Sequence, residues 1–589
     1  MKSPEAVTQP PQIPPNLPAA ERMVARLSYL YGDEHAEPIA RRVRRLLETH
    51  RQLRTRVLQG DLWTHRDLVL ITYADSIQSS MHPPLQTLHR FLNAHLADAF
   101  SMVHILPFFP WSSDDGFSVT DFRAVKTGLG SWEDIKHLAE DFDLAIDLVL
   151  NHCSRENLWF IDYLFGDQPA CDYFIELDPS TNLSLVTRPR STPLLSGART
   201  QTGMRHVWTT FSNDQIDLNY ANPDVLIEFI DILLYYIRRG ARMVRLDAVA
   251  YLWKTIGTSC IHLPQTHQVV KLFRDVLELV EPAALIMTET NVPHAENVGY
   301  FGDGDEAHVV YQFSLPPLLL HALIAGTSRY LKAWAMSLED LALPSGCTFL
   351  NFTASHDGVG LRPLEGLVPP DEVDALLATM RERGGYISTK SNSDGSESPY
   401  ELNISYFDAF RDSSGDNRWH IEQFMVSQVV SLAFKGIPAV YIHCLTATPN
   451  DTLGVERTGM TRSVNRRKWD QSELQQLIDD PASETGRVFK LYSRLLELRR
   501  KQVAFHPDAK QTLLDLGDPL FGFERTATDG AQHILVLANL TARSVTLGLD
   551  RLPTDLRGRE ELLALNKLEF SQDALILEPF AVFWFSQRT

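Results

Sequence analysis

Apolar residues recur at helical spacing early in the chain and then give way to short continuous runs. Met23, Val24, Leu27 and Leu30 form one stripe, Gly32-Asp33 interrupts it, and Pro38 opens a second stripe of Ile39, Val43, Leu46 and Leu47. The spacing predicts two amphipathic helices. Ahead of them, residues 1–19 are polar and proline-rich and read as a disordered tail. From about residue 67 eight apolar runs follow: 68–75, 102–108, 144–152, 241–249, 284–290, 308–313, 347–357 and 437–444. Near-continuous hydrophobic strands alternating with helical segments indicate a parallel sheet covered by helices, and eight such units predict a closed (β/α)8 barrel of the α/β class. A doubly wound sheet fits less well, because no glycine fingerprint follows an early strand.

Two gaps between runs are too long for ordinary loops. They predict inserted sub-domains at 153–235, after the third strand, and at 358–436, after the seventh. The second holds STKSNSDGSESP (388–399), whose polar, glycine- and serine-rich character reads as mobile. Beyond the helix around 487–502, alternating runs such as 533–540 and 581–585 predict a small antiparallel β domain. The expected division is therefore an N-terminal extension over 1–66, a barrel over 67–152, 236–357 and 437–505, the two insertions, and a C-terminal β domain over 506–589.

Composition narrows the function classes. A net charge of −19 disfavours nucleic acid and anionic membranes as partners, and no run approaches a membrane span. The second helix carries Arg41, Arg42, Arg44, Arg45, Arg51 and Arg54, which on so acidic a chain read as a solvated or acid-paired face. Cys153, Cys171, Cys260, Cys347 and Cys444 are odd in number and scattered, which fits reduced thiols in a cytoplasmic protein, and the N-terminus lacks a secretory core. GDGDEAH (302–308) lacks the ligand spacing of a calcium loop and reads as a polar turn, and His294 and His308 belong to no metal-ligand pattern. No metal or organic cofactor is expected.

Charged residues interrupt the apolar runs near their ends. Arg245 and Asp247 lie two apart in MVRLDAVAY and share one face of a strand, opposite Val244 and Leu246. Asp147 with Asn151 and His152, then Glu289, then His356 with Asp357, end other runs similarly. Polar groups thus gather at the C-terminal strand ends, where such barrels build active sites. Three carboxylates on one rim point to acid, base and nucleophile chemistry on a glycosidic bond. Arg245 is expected to lower the Asp247 pKa and keep it ionised as nucleophile, and Glu289, without an adjacent cation, to hold a proton as the acid. Asp357 is expected to hold sugar hydroxyls and support the charge of the transition state.

DLVLNH (147–152), VRLDAV (244–249), MTET (287–290) and ASHD (354–357) resemble, in order, the four active-site motifs of the α-amylase superfamily. The resemblance implies Asp247 as nucleophile, Glu289 as general acid/base and Asp357 as stabiliser, with Arg245, His152 and His356 contacting glucose. A narrower resemblance covers most of residues 67–500: HILPFFPWSSDDGFSVTDF (104–122), VRLDAVAYLWKTIGTSC (244–260), VYQFSLPPLLLHAL (310–323) and SHDGVGLRP (355–363) are similar to the sucrose phosphorylase branch. It implies transfer of one glucosyl unit from a small α-glucoside to inorganic phosphate through a covalent glucosyl-enzyme. Asp114 and Arg462 match the pair that holds the far end of glucose, and Phe117 and Gln312 fall in the same substrate-binding stretches.

For phosphate, RPR (188–190) offers Arg188 and Arg190, whose guanidinium groups match phosphate oxygens in a bidentate way. Tyr400 and Glu401, in PYELN, match the mobile loop on the opposite side of the pocket and are further phosphate or acceptor candidates. The N-terminal extension, Gln312 in place of an acidic residue, and TETNVPHAEN (288–297) are more similar to glucosylglycerate phosphorylases than to plain sucrose phosphorylases. That resemblance implies glycerate as acceptor, with fructose, fructose 6-phosphate and glycerol as the other candidates. A hydrolase or transglucosidase on the same barrel, and a non-catalytic partner subunit, are the alternatives; an oligomer is compatible with all of them.

Overall fold

A computed structural model describes residues 13–14, 16–50, 61–392, 396–553 and 556–588. Eight parallel strands close a barrel: β1 (Val69–Thr72), β2 (Met102–Ile105), β3 (Asp143–Val149), β4 (Ala241–Asp247), β5 (Leu285–Thr288), β6 (Val309–Tyr311), β7 (Thr348–Asn351) and β8 (Ile437–Tyr441). Each of the eight apolar runs falls on one of them, β3 starting one residue ahead of its run, and β8 pairs with β1 to complete the ring. These strands are buried on both faces, which is why the sequence shows continuous apolar runs rather than alternation.

The chain leaves the barrel after β3 and after β7. The first excursion pairs His152–Ser154 antiparallel with Gln215–Asp217 and carries the hairpin Leu195–Thr200 with Gly203–Trp208. The second carries the helix Pro370–Glu382 and the antiparallel hairpin Tyr386–Ser391 with Glu397–Asn403. The stretch read as mobile lies in this hairpin, and its residues 393–395 fall outside those described. The helix Pro223–Arg238 packs against β4, and the helix His420–Ala433 against β8. On that packing we place both among the barrel helices and end the two excursions before them.

The N-terminal helices are α1 (Ala19–Tyr31) and α2 (Asp33–Thr49). Pro38 does not open α2 as its place in the stripe suggested. The helix starts at Asp33, because Gly32 (φ 87°) breaks α1 there, and Pro38 sits inside the second turn. The carbonyl that Pro38 leaves without a donor belongs to exposed Glu34. Met23, Leu27, Ile39 and Val43 join the main barrel core. Arg42 pairs with Asp224 at 2.5 Å and Arg44 with Glu37 at 2.6 Å, an acid-paired face; Arg51 and Arg54 lie outside the described residues, as does most of the tail.

At the C-terminus a five-stranded antiparallel sheet forms from Lys510–Leu513, Leu520–Thr526, Gln532–Asn539, Val582–Arg588 and Glu560–Glu561. Alternation divides its side chains: Ile534 and Val536 join the barrel core, while Leu535 and Leu537 join a second core with Leu547, Leu575 and Leu577. Among the described residues no helix is long and apolar enough to cross a membrane.

Candidate active site

The C-terminal ends of the strands build a pocket lined by Asp114, Phe117, His152, Arg190, Asp247, Glu289, His356, Asp357, Tyr400, Glu401 and Arg462. Strand register places its floor. Arg245 of β4 pairs across the sheet with Asp147 of β3 on one side and Met287 of β5 on the other, so its guanidinium lies beneath the rim. It donates to Asp247 Oδ1 at 2.9 Å, also bonds Asp147, and lies 3.9 Å from Glu289 Oε2. The Nε2–H of His104, on β2, meets the other Asp147 oxygen at 2.7 Å. Directly after Asp247 the backbone turns left-handed at Ala248 (φ 51°), which aims the Ala248 N–H at Glu289 Oε2, 3.0 Å away.

Arg462 organises the opposite wall. Its Nη1 lies 2.7 Å from Asp357 Oδ1, and its Nη2 and Nε donate to Glu401 at 2.9 and 3.1 Å. Asp114 is 3.9 Å from the same guanidinium. Asp114 and Asp115 are both left-handed (φ 52° and 49°), and Arg466 ties this loop to the wall with contacts at 3.4 and 3.0 Å and a bond to His356 O at 2.9 Å. Next in the loop, Gly116 (φ 115°) passes so close to Pro107 that a Cβ there would meet its carbonyl oxygen at 2.5 Å. Phe117 stacks on His356 with ring centroids 4.7 Å apart and planes within 3°, and its carbonyl accepts from His152 Nε2 at 2.9 Å.

The charges do not fall as the sequence suggested. Arg245 does not hold Asp247 below the ordinary carboxylate range. Burial pushes the Asp247 carboxyl well up, and nearby Glu289, Asp147 and Asp357 add to it, because Arg245 is divided among several carboxylates. Burial likewise raises Glu289. Asp357 moves the other way: burial opposes ionisation, but the guanidinium groups of Arg462 and, behind it, Arg245 outweigh it and keep the carboxylate charged. His356 and His152 are pushed down by burial and are neutral.

Besides Arg245, which lies beneath the pocket, two expected residues stand apart from its wall. Gln312 is wholly buried beyond the end of β6, with neither amide atom partnered among the described residues. Its neighbour Tyr311 faces the barrel interior, where its ring lies 5.4 Å from the Arg245 guanidinium, so strand alternation turns Gln312 away. Arg188 bonds the carbonyls of Ser191 and Thr192 within its own loop, whereas Arg190 reaches the pocket with its guanidinium 5.1 Å from the Tyr400 ring centroid. The pocket also takes Phe211, Gln215, Tyr251 and Asn291, which the sequence reading passed over. Phe211 and Gln215 lie in an insertion without strand periodicity; Arg466, one helical turn beyond Arg462, had a legible spacing. In GDGDEAH, Asp305 pairs with Lys271 at 2.9 Å and Glu306 with His267 at 2.6 Å, and His308 accepts from Ile286 N at 3.0 Å.

Comparison with known proteins places this geometry. The Alpha-amylase family, described as the α-amylase catalytic domain, matches residues 99–343. The chain is 45% identical over 526 residues to a glucosylglycerate phosphorylase of Spirochaeta thermophila, covering 88% of this chain and 89% of the relative. It is 41% identical over 569 residues to that of Escherichia coli, covering 96% and 99%. The chain belongs to the glucosylglycerate phosphorylase family of the α-amylase superfamily. A solved sucrose 6F-phosphate phosphorylase from Thermoanaerobacter thermosaccharolyticum shares the fold of this family member, with a TM-score of 0.70 at 24% identity, over 82% of this chain and 96% of that one.

Proposed function

We propose that this glucosylglycerate phosphorylase family member is a retaining enzyme that moves one glucosyl unit from glucosylglycerate to inorganic phosphate, giving α-glucose 1-phosphate and glycerate. The observation that carries the chemistry is the unequal placement of Arg245, bonded to Asp247 at 2.9 Å and 3.9 Å from Glu289. The two carboxyls are raised together and titrate as a pair. Burial raises Asp247 more than Glu289, yet Arg245 bonds Asp247 directly, so we assign the charge of the pair to Asp247 and its proton to Glu289, the carboxyl farther from the guanidinium. Once it is there, Glu289 no longer repels charge on Asp247, which ionises against Arg245.

In the first half-reaction the Asp247 carboxylate attacks the anomeric carbon. The bond to the glycerate oxygen breaks, and Glu289 gives that oxygen its proton. In the second, a phosphate oxygen attacks the same carbon, the ester to Asp247 breaks, and ionised Glu289 takes the proton of the incoming hydrogen phosphate. Charged Asp357 and the Asp114 carboxyl, with neutral His152 and His356, bond the sugar hydroxyls against the Phe117 ring. Arg462 and Arg466 set the two carboxylates.

The anions enter opposite. Arg190 has no carboxylate partner among the described residues and faces the pocket beside Tyr400, which supports it as the cation for phosphate and for the carboxylate of glycerate. Arg188 orders the same loop, and Glu401, already bonded to Arg462, closes the hairpin over the site. The five free cysteines support a cytoplasmic setting. Reverse synthesis tests the acceptor: α-glucose 1-phosphate offered with glycerate, fructose, fructose 6-phosphate or glycerol should release phosphate fastest with glycerate. A faster rate with fructose overturns the assignment.

A further inference from the structure

The N-terminal helices take no part in the chemistry above, yet their attachment leads to the pocket. We label the helix Pro264–Val280 α3. A buried network fixes α1 to α3: Arg22 Nε and Arg26 Nε donate to the two oxygens of Asp275 at 2.6 and 2.7 Å, and Arg26 also reaches Gln268 at 3.0 Å and Asp305 at 3.1 Å. The last residue of α1, Tyr31, then points toward the site. Its hydroxyl donates to Tyr220 O at 2.9 Å, and its ring lies 6.2 Å from that of Trp253.

Both contacts are one step from the pocket wall. Tyr220 closely follows the strand Gln215–Asp217, and its own hydroxyl donates to Leu150 O at 2.9 Å, beside Asn151 and His152. Trp253 precedes Lys254, whose Nζ lies 2.6 Å from Asp217 Oδ2 and donates to Asn151 Oδ1 at 2.8 Å. Asp217 further accepts from Asn151 at 3.0 Å and from the backbone and hydroxyl of Thr210 at 2.8 and 2.6 Å. The Lys254 and Asp217 side chains are 3% and 0% exposed, so water cannot replace a displaced partner. This pair joins the first excursion, which carries Phe211 and Gln215 into the pocket, to the barrel segments carrying His152 and Asp247.

We propose that Tyr31 is a positioning residue: by holding the Tyr220 turn and the Trp253–Lys254 segment together, it seats the first excursion on the barrel rim and so keeps water from the glucosyl-enzyme. The water-exclusion part rests on the phosphorylase reading; the seating part does not.

The test uses the full chain with Tyr31→Ala, Tyr31→Phe and, as a control on the same hairpin, Arg42→Ala, whose exposed pair with Asp224 touches none of these groups. The first readout is glucose released per glucose 1-phosphate during turnover of glucosylglycerate with phosphate, a ratio independent of how much protein is folded. It should rise several-fold in Tyr31→Ala, rise less in Tyr31→Phe, which keeps the ring on Trp253, and stay unchanged in Arg42→Ala. The second is hydrogen exchange without substrate, expected to quicken at 151–154, 210–220 and 250–256 but not at 355–363. An unchanged ratio with unchanged exchange, or exchange quickened evenly over the barrel, overturns the proposal. Should Tyr31→Ala not fold, Tyr31→Phe must still quicken exchange around 150–152 and 210–220. If the unaltered enzyme forms no glucose 1-phosphate, the phosphorylase reading fails by itself, and exchange still decides the seating.

Discussion

Arg462 grips Glu401 with two parallel bonds, Nη2 at 2.9 Å and Nε at 3.1 Å, and so ties the segment after β8 to the hairpin that covers the pocket. Because the same guanidinium holds Asp357 at 2.7 Å, the hairpin and the carboxylate proposed to bind glucose are set by one group. Glu401→Gln removes the charge from the clamp but keeps its shape. It should lower kcat/KM roughly 10-fold, the worth of one charge-assisted bond, mainly through a higher KM for the glucoside. Steady-state kinetics with fixed phosphate checks this, and a change in kcat alone would place Glu401 elsewhere in the reaction.

Removing the nucleophile should be far more costly. Asp247→Asn should reduce glucose 1-phosphate formation by at least about 10⁴-fold while the circular dichroism spectrum is retained. An active Asn variant would remove Asp247 from the mechanism.

The raised carboxyls set the pH profile. Glu289 must be protonated for leaving-group departure, and its pKa is raised, so kcat/KM holds above the ordinary carboxylate range and falls as pH rises through the Glu289 value. On the acid side it falls as Asp247, also raised, takes up a proton. Glu289→Gln should slow turnover of glucosylglycerate by about 10²–10⁴-fold and abolish the basic limb. With α-glucosyl fluoride, whose leaving group needs no proton, fluoride release in the first half-reaction should largely return, while transfer to phosphate, which still lacks the base, stays slow. A basic limb that persists in Glu289→Gln assigns it to another group.

Arg190 and Arg188 separate the phosphate contact from the loop that carries it. Arg190→Ala should raise the KM for phosphate about 10-fold or more, corresponding to about 1.5 kcal/mol for a charge-assisted bond, whereas Arg188→Ala should change it less. Phosphate titrations at saturating glucoside distinguish them, and equal effects would place both side chains on the anion.

Much of this was legible from the chain because of how barrels are buried. Strands covered on both faces leave unbroken apolar runs, and Arg245, Asp247, Glu289 and Asp357 stood out as charges at the ends of those runs. The division of Arg245 could not be read, since Asp147 meets it only through the register between neighbouring strands. Nor could the Lys254–Asp217 pair, which joins the segment after β4 to a short strand of the first excursion, or Phe211 and Gln215, which that excursion brings to the pocket. Gln312 is singled out by its position in a matched stretch and Arg188 by its guanidinium chemistry; strand alternation turns the first away from the pocket, and bonds to Ser191 O and Thr192 O tie the second into its own loop.

The most direct measurement follows glucosylglycerate by NMR with and without phosphate. α-Configured glucose 1-phosphate should be the first product, formed only when phosphate is present. Free glucose released at the same rate without phosphate, or a first product of β configuration, would contradict the proposed reaction.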